Sequence, residues 1–552
     1  MTAWQLAKHP TFAGVSGPVL VVVMDGVGYG HNNESDAVWL ARKPHLDLLH
    51  ASCPRTRLLA HGTAVGMPSD DDMGNSEVGH NALGAGRIFD QGAKLVQGAI
   101  DSGALYEGDT WKAITQRARE HDKPVHFVGL LSDGNVHSHI AHLIALVERC
   151  NTENVKTVRI HVLLDGRDVP ETSGLIYVEQ LEQVLAKLNE RGDRDYRIAS
   201  GGGRMVITMD RYNANWPMVE LGYKTHVLGE GRTFKTAREA IETYRGEQAR
   251  LSDQNLPPFV IAGADGKPVG RIEDGSSVVL FNFRGDRAIE FSSAMESETF
   301  EHFPIAHRPD VLFAGMMQYD GDLLLPKRFL VTPPAIDRTL GEYLARNRIA
   351  QYASSETQKY GHVTYFWNGN RSGKFDDEYE TYVEIPSETL PFEERPWMKA
   401  SEITDGLIAA LKSQKYRHLR VNYANGDMVG HTGFRDAAVQ AVEAVDLSIG
   451  RLLPVIEKLE GALIVTADHG NADEMFEVDK KGNIKHDAAG RPLVKTSHTL
   501  NAVPFLFYAP AYPLVIDGSV KEPGLANVAS TVFSLLGYRA PEAFTPSLLR
   551  GA

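Results

Sequence analysis

The sequence predicts an α/β fold in which largely parallel sheets are covered by helices, and three observations lead to it. The first is a recurring pattern in which a short β-branched run is followed at once by Gly and charged or hydroxyl residues. It begins at Val19–Met24 before Asp25-Gly26 and returns at Val125–Leu131 before Ser132-Asp133-Gly134 and at Val158–Leu164 before Asp165-Gly166-Arg167-Asp168. It recurs at Val278–Phe283 before Arg284-Gly285-Asp286-Arg287, at Leu419–Tyr423 before Asn425-Gly426-Asp427, and at Leu463–Thr466 before Asp468-His469-Gly470. Near-continuous apolar runs of this kind read as strands buried on both faces, the usual condition of parallel strands. The second observation is helical spacing between the runs. Val439, Val442, Val445, Ile449, Leu452 and Ile456 recur three or four apart, as do Ile140, Leu143, Ile144 and Val147, with Ser138 as the expected N-cap. The third is that Asp, His and Arg repeatedly follow the runs. Loop turns account for the glycines but not for these residues, and in α/β sheets ligands gather beyond the carboxyl ends of the strands.

At 552 residues the chain exceeds one ordinary core, and 43% apolar with 23% charged residues is the balance of a folded protein. Two to four domains are expected, one interrupted by another. The joints fall at Gly84–Gly92 and at the Pro-rich Val331-Thr332-Pro333-Pro334-Ala335. A net charge of −14 offers no basic footprint for nucleic acid or anionic membrane, so an anionic substrate must be attracted by local groups. The longest apolar stretch, near Val19–Met24, is far too short to span a bilayer. The first residues lack the apolar core of a secretory signal, so a cytoplasmic protein is expected. Cys53 and Cys150 cannot build a disulfide framework and are expected to be buried thiols.

Asp25, Asp427, His431, Asp468, His469 and His498 supply hard oxygens and imidazoles in Gly-rich turns, a donor mixture suited to manganese, zinc, cobalt and similar divalent ions. Each alone is weak, since a lone Asp after a strand is usually a turn residue. Asp427 and His431 have the i, i+4 spacing of a helical metal pair, but Gly426, Gly430 and Gly433 favour a loop. Asp468-His469 at a strand end is the strongest local signal. Spacing leaves His486 and His498 open as the remaining imidazole.

Gly74-Asn75-Ser76-Glu77-Val78-Gly79-His80-Asn81 places a hydroxyl among small residues that permit close approach of a ligand. Ser76 could simply cap the next helix, but a capping box wants Glu or Gln at position 79, where this chain has Gly. A metal ion would lower the hydroxyl pKa, and a helix N-terminus would favour a phosphate once attached. The motif lacks the G-x-S-x-G of a nucleophile elbow, which argues against a hydrolase triad.

These motifs, with Leu130-Leu-Ser-Asp-Gly-Asn-Val-His137-Ser-His139, Gly-Gly-Gly-Arg204, Met-Asp-Arg211 and Ser-Glu-Thr-Gln-Lys359-Tyr-Gly-His-Val-Thr, occur in one order along nearly the whole chain. In that order they resemble the cofactor-independent (2,3-bisphosphoglycerate-independent) phosphoglycerate mutases of the alkaline phosphatase superfamily. The stretches Phe366–Tyr382 and Lys480–Lys495 resemble the plant and trypanosomatid type. The resemblance implies an alkaline-phosphatase-like three-layer domain built from both chain ends, with a second α/β, substrate-binding domain inserted after Ser76; the joints above place the insertion at 90–335 and the outer domain at 1–89 and 336–552. It implies two divalent ions, manganese first, with cobalt, magnesium or zinc as alternatives. Asp25, Ser76, Asp468 and His469 would hold one ion and Asp427, His431 and His498 the other, which selects His498 over His486. It further implies Ser76 as nucleophile and Lys359 beside the transferring phosphate. His137, Arg167, Asp168, Arg204, Arg211, Arg284 and Arg287 would bind glycerate, with Asp168 exchanging its hydroxyl protons and Arg284 counted among the catalytic groups.

The expected reaction is interconversion of 3-phosphoglycerate and 2-phosphoglycerate by a cytoplasmic monomer, with no nucleic-acid or membrane partner. Guanidinium groups suit such a substrate because they grip carboxylate and phosphate oxygens bidentately. Two domains closing about 84–92 and 331–335 would exclude water. The rival readings are a metallophosphatase or phosphopentomutase of the same superfamily, a sulfatase, which would need a Cys or Ser in its own modification motif and finds no Cys at the nucleophile position, and a non-catalytic metal- or phosphate-binding protein.

Overall fold

The computed structural model describes the chain except for residues 1–3, 68–69, 91, 211–214, 306, 320–324, 333–335, 480–482, 488 and 552. The chain forms two compact units, one from residues 1–91 with 335–552 and one from 92–334.

The core of the first unit is a seven-stranded sheet. Its spatial order is Glu380–Ile385, Gln351–Glu356, His418–Tyr423, Val19–Met24, Ala462–Thr466, Val503–Tyr508 and Arg55–Leu58. The first five strands are parallel, and the last two run antiparallel to their neighbours. The expectation of parallel sheets therefore holds at the centre and fails at one edge. All six residues of Val19–Met24 are buried, as the unbroken apolar run requires of a central strand. The helix Arg435–Lys458 carries Val442, Val445, Ile449, Leu452 and Ile456 on its buried face, as their spacing indicates.

The second unit has a sheet of the same size, ordered Arg232–Phe234, Phe259–Ile261, Asp195–Gly203, Thr157–Leu164, Val125–Leu131, Ser277–Leu280 and Leu312–Gly315. Here the antiparallel exception is the pairing of Phe259–Ile261 with Asp195–Gly203. The helix Ile140–Thr152 is capped by His139, whose Nδ1 accepts from Ala141 N at 3.1 Å, and not by Ser138. Ser138 Oγ instead donates to Leu130 O at the end of the preceding strand, 2.5 Å away. Neither cysteine is paired; Cys150 is buried, whereas Cys53 is only partly so.

Several histidines lie inside this scaffold. His418 Nδ1 is 3.2 Å from Val19 O, and burial, reinforced by Arg420, lowers the imidazole to about 3. A histidine held neutral in the fold but free to charge near 6.5 when unfolded contributes stability that is complete above pH 6.5 and is lost as pH falls toward 3. Each such residue removes roughly 2 kcal/mol by about pH 5. The urea midpoint of the wild type is therefore expected to fall between about pH 7 and about pH 5, and that of His418→Gln to fall less over the same interval. Equal falls would show that His418 does not contribute to acid sensitivity.

Candidate metal centre and substrate residues

In the first unit, parallel pairing brings the strand ends level. Met24 lies beside Tyr423 and Val23 beside Thr466, so Asp25 emerges next to the segments that begin at Asn425 and Asp468. Gly26, at φ 73°, makes the turn, and a Cβ there would meet Asp427 N at 2.6 Å. Gly26 O accepts from both Asn471 N and Ala472 N, tying the turn to the Asp468-His469 loop.

Asp427 and His431 do not lie in the expected loop. Asn425–Gly430 is a short helix, and His431 N closes on Asp427 O at 3.0 Å. Its glycines serve close contact: a Cβ on Gly426 would lie 2.6 Å from Asp25 O, and one on Gly430 2.3 Å from Asn471 Oδ1. Composition suggested helix breaking where packing required small residues.

Ser76 is not the N-cap of its helix. Asn75 is, its Oδ1 accepting from Val78 N at 3.1 Å, so Ser76 opens the helix Ser76–Ala85 with its hydroxyl available for other contacts. The residue is 3% exposed. Its hydroxyl accepts from Lys359 Nζ at 2.5 Å and lies 2.9 Å from His469 Nε2 and 3.3 Å from Asp25 Oδ1. Gly79, the residue that spoils a capping box, packs against Asp468, where a Cβ would come within 2.7 Å of its carbonyl oxygen.

Two groups of buried residues can each hold a metal ion: Asp25 with Asp468 and His469, and Asp427 with His431 and His498, with ligand atoms within 4.8 Å of one another in each. The histidine contacts test whether these groups suit a cation. His431 Nδ1 faces Thr496 O at 2.6 Å, His498 Nδ1 faces Gly74 O at 2.8 Å, and His469 Nδ1 faces Gly470 O at 3.2 Å. Carbonyls only accept, so each Nδ1 carries the proton and each Nε2 presents a lone pair. The Nε2 atoms of His431 and His498 are then 3.1 Å apart, and Asp427 Oδ1 lies 3.0 Å and 3.1 Å from them. Lone pairs and a carboxylate converging in a buried site repel unless a cation sits among them, so the donor set fits a divalent ion. Lys359 Nζ, 2.8 Å from Asp25 Oδ1 and 2.7 Å from Asp427 Oδ2, is shared by both groups.

The carboxyls respond to this crowding. Burial, with repulsion from Asp468, pushes Asp25 up to about 7 despite Lys359. Burial also opposes ionisation of Asp427 and Asp468. The positive charge of Lys359 opposes it at both, and both stay below the usual carboxylate range.

Three residues without an assigned role complete this site. Asn422 Nδ2 donates to Asp25 Oδ2 at 2.6 Å and lies 3.1 Å from His80 Nε2. His80 Nδ1 lies 3.3 Å from Asp468 Oδ2, and Asn471 Nδ2 donates to Asp427 Oδ1 at 3.1 Å. The available signal was Asn422 itself, a polar residue in a fully buried strand. The alternative imidazole, His486, is exposed and belongs to neither metal-type group.

In the second unit, Arg204 follows the strand Asp195–Gly203, and its guanidinium pairs with Asp168 and, at 2.7 Å, with Asp165 Oδ1. Asp165 Oδ1 also accepts from Arg167 N and Asp168 N, and Ser132 Oγ donates to Oδ2 at 2.6 Å. Asp165 thus organises its loop, a role hidden when it was read only as part of a motif. Asp286 does the same for Arg284, accepting from Nε at 2.9 Å and Nη2 at 3.1 Å, with His137 Nδ1 3.7 Å from its Oδ1. Arg287 Nη1 donates to Met209 O at 2.7 Å. Burial, then the charges of Arg204, Arg284, Arg287 and Arg167, hold His137 well below its ordinary value, so it is neutral. Arg211 lies outside the described residues.

Among the described residues no helix is long and apolar enough to cross a membrane. The model of the metalloenzyme superfamily matches residues 17–540. A Leptospira interrogans protein described as a probable 2,3-bisphosphoglycerate-independent phosphoglycerate mutase is 55% identical over 548 residues, 99% of each chain. The 2,3-bisphosphoglycerate-independent phosphoglycerate mutase of Trypanosoma brucei brucei is 50% identical over 100% of both chains. The crystal structure of Leishmania mexicana phosphoglycerate mutase at low cobalt concentration superimposes with a TM-score of 0.97 at 47% identity, covering 99% of this chain and 100% of that one. With these relatives matching from end to end and two buried donor sets suited to divalent ions, the chain is a metal-dependent enzyme and belongs to the 2,3-bisphosphoglycerate-independent phosphoglycerate mutases.

Proposed function

We propose that the enzyme interconverts 3-phosphoglycerate and 2-phosphoglycerate through a phosphoserine at Ser76. The observation that carries this reading is the buried Ser76 hydroxyl held by Lys359 and lying against His469 and Asp25. Two divalent cations, manganese with cobalt, magnesium or zinc as alternatives, would lower the hydroxyl pKa and offset phosphoryl charge, one held by Asp25, Ser76, Asp468 and His469 and the other by Asp427, His431 and His498.

The residues divide the work. Ser76 Oγ, as alkoxide, attacks phosphorus in line; the Oγ–P bond forms as the bond to the glycerate 3-oxygen breaks. Lys359 places its ammonium beside the transferring group, and the first-turn N–H groups of Ser76–Ala85 favour the phosphate that results. Arg204, Arg211, Arg284, Arg287, Arg167 and His137 hold the glycerate carboxylate and hydroxyls. Asp168 takes the proton from the 2-hydroxyl and returns it to the 3-oxygen, after which the 2-oxygen attacks the phosphoserine and Ser76 is restored. In this reading residues 1–89 with 336–552 form the phosphatase-like part and 90–335 the substrate-binding part. The protein works as a monomer in the cytoplasm, whose reducing conditions suit the free thiols of Cys53 and Cys150.

The test is to strip the protein of metal and supply 3-phosphoglycerate without bisphosphoglycerate. Appearance of 2-phosphoglycerate only after manganese is restored is expected. Release of free phosphate in its place identifies a phosphatase, and no turnover with retained binding identifies a binding protein.

A further inference from the structure

A row of buried polar side chains crosses the sheet of the second unit with no part in the reaction described. His126 Nδ1 lies 3.0 Å from His161 Nε2, and His161 Nδ1 lies 2.7 Å from Ser200 Oγ. Ser200 Oγ is 2.7 Å from His226 Nδ1, and His226 Nε2 is 3.1 Å from Thr208 Oγ1. No member is more than 1% exposed. Burying so many polar groups costs free energy unless each is satisfied, and a row of three histidines is a costly way to fill a core.

The backbone departs from regular geometry three times to build it. A β-bulge between the strands Thr157–Leu164 and Asp195–Gly203 passes over Ala199, so that His161 faces Ser200. His226 stands on a π-helical turn, Lys224–Leu228. Thr208, a β-branched residue, has φ 70°, a strained conformation for its type. The row ends there, four residues beyond Arg204. The loop is pinned on either side as well, by Thr208 N donating to Met218 O at 3.0 Å and by Arg287 donating to Met209 O at 2.7 Å. Gly222 lies so close that a Cβ would be 2.1 Å from Thr208 Oγ1.

The row also has a direction. Burial, helped by Arg159, lowers His126 to about 3, burial alone lowers His226 to about 3, and burial holds His161 well below its ordinary value, so all three are neutral and each brings one N–H. Among the described residues His126 Nε2 has no partner. If the donors ran from Thr208 toward His126, that orphan nitrogen would carry a buried N–H with no acceptor, at a cost of about 1–3 kcal/mol. Running the other way, His126 Nδ1–H donates to His161, His161 Nδ1–H to Ser200, Ser200 O–H to His226, and His226 Nε2–H to Thr208. Every imidazole N–H and the Ser200 O–H are then used; the donor left over is the Thr208 O–H, which can turn about its Cβ–Oγ bond, whereas an orphan N–H on His126 would be fixed in the plane of the ring.

We propose that this one-way row positions the 204–210 loop, making His226 and Thr208 positioning residues for the arginines that retain glycerate. The proposal rests on the substrate role assigned above to Arg204 and Arg287. The strained Thr208 keeps its conformation because His226 donates to its hydroxyl. Without that bond the loop relaxes, and both Arg204 at its start and the carbonyl that anchors Arg287 move.

The test compares Thr208→Val, which keeps the branched shape but removes the acceptor, with Thr208→Ser, which keeps the acceptor. The valine variant is expected to raise KM for 3-phosphoglycerate about ten-fold with kcat changed less than about three-fold, and to release more free phosphate per turnover. The serine variant is expected to match the wild type. Equal behaviour of the two variants overturns the proposal, as does a valine variant with unchanged KM and phosphate release. Should Thr208→Val fail to fold, Ser200→Ala interrupts the row elsewhere and is read in the same way. Independently of activity, spectra of protein labelled with nitrogen-15 histidine should show the proton of His226 on Nε2 and those of His126 and His161 on Nδ1; the opposite tautomers overturn it. A wild type that lacks mutase activity would sink the substrate reading and leave the tautomer result standing.

Discussion

Ser76→Ala is expected to abolish interconversion of the phosphoglycerates, with a fall of at least about 10⁴-fold in kcat. The substitution removes one oxygen from the point where Lys359, His469 and Asp25 meet, and leaves Asp25, Asp468 and His469 able to bind an ion. The protein should therefore still take up metal and substrate while losing its phosphoryl acceptor. Ser76 is the first residue of its helix and not its cap, so the helix keeps the Asn75 cap and the fold is not at issue. Rapid acid quench of the wild type followed by mass spectrometry should find phosphate on residue 76, and the variant should show none. Full mutase activity in the alanine variant would end the assignment of Ser76 as nucleophile.

Lys359→Met should cost about 10²–10³-fold in kcat, the scale seen when a preorganised charge is removed from beside a developing anion. Methionine nearly matches the volume of the side chain and does not replace its charge. In the wild type one ammonium is within hydrogen-bonding distance of Asp25, Asp427 and Ser76. Deleting it leaves two buried carboxylates facing each other, and breaking such a buried pair costs about 3–5 kcal/mol. The metal-free variant should consequently melt well below the metal-free wild type, and added manganese should close most of that gap without restoring the rate. If manganese restored the rate as well, Lys359 would be a structural counter-ion only.

Much of the candidate site was legible along the chain because its residues sit at the ends of apolar runs. A run that reads as a buried parallel strand predicts where the backbone leaves the sheet, and the first polar residue after it is forced to that edge. Asp25, Asp468, His469 and Arg284 follow this rule, whereas Arg204 leaves the strand Asp195–Gly203, which is no apolar run, and was marked only by its Gly-Gly-Gly-Arg motif. Asn422 and His80 were overlooked for the converse reason. One lies within a strand and the other, though it stands in the Gly74–Asn81 motif, within a helix, and neither position shows along the chain which carboxylate its side chain meets. Asp165 and Asp286 stood inside recognised motifs, but their work of holding an arginine in place became visible only through their contacts.

Strand positions, the helix Arg435–Lys458 and the order of the chemistry-bearing motifs were determined by the sequence itself, because hydrophobic periodicity and strand exits are local properties of the chain. Only the tertiary structure decided that Asp427 and His431 stand on a helix, that Asn75 and not Ser76 is the cap, and that two histidine Nε2 atoms meet 3.1 Å apart. It also decided the row from His126 to Thr208. Those features depend on contacts between segments far apart in the chain, where a glycine is chosen for the atom pressed against it and an imidazole is oriented by a distant carbonyl, and no local pattern encodes either.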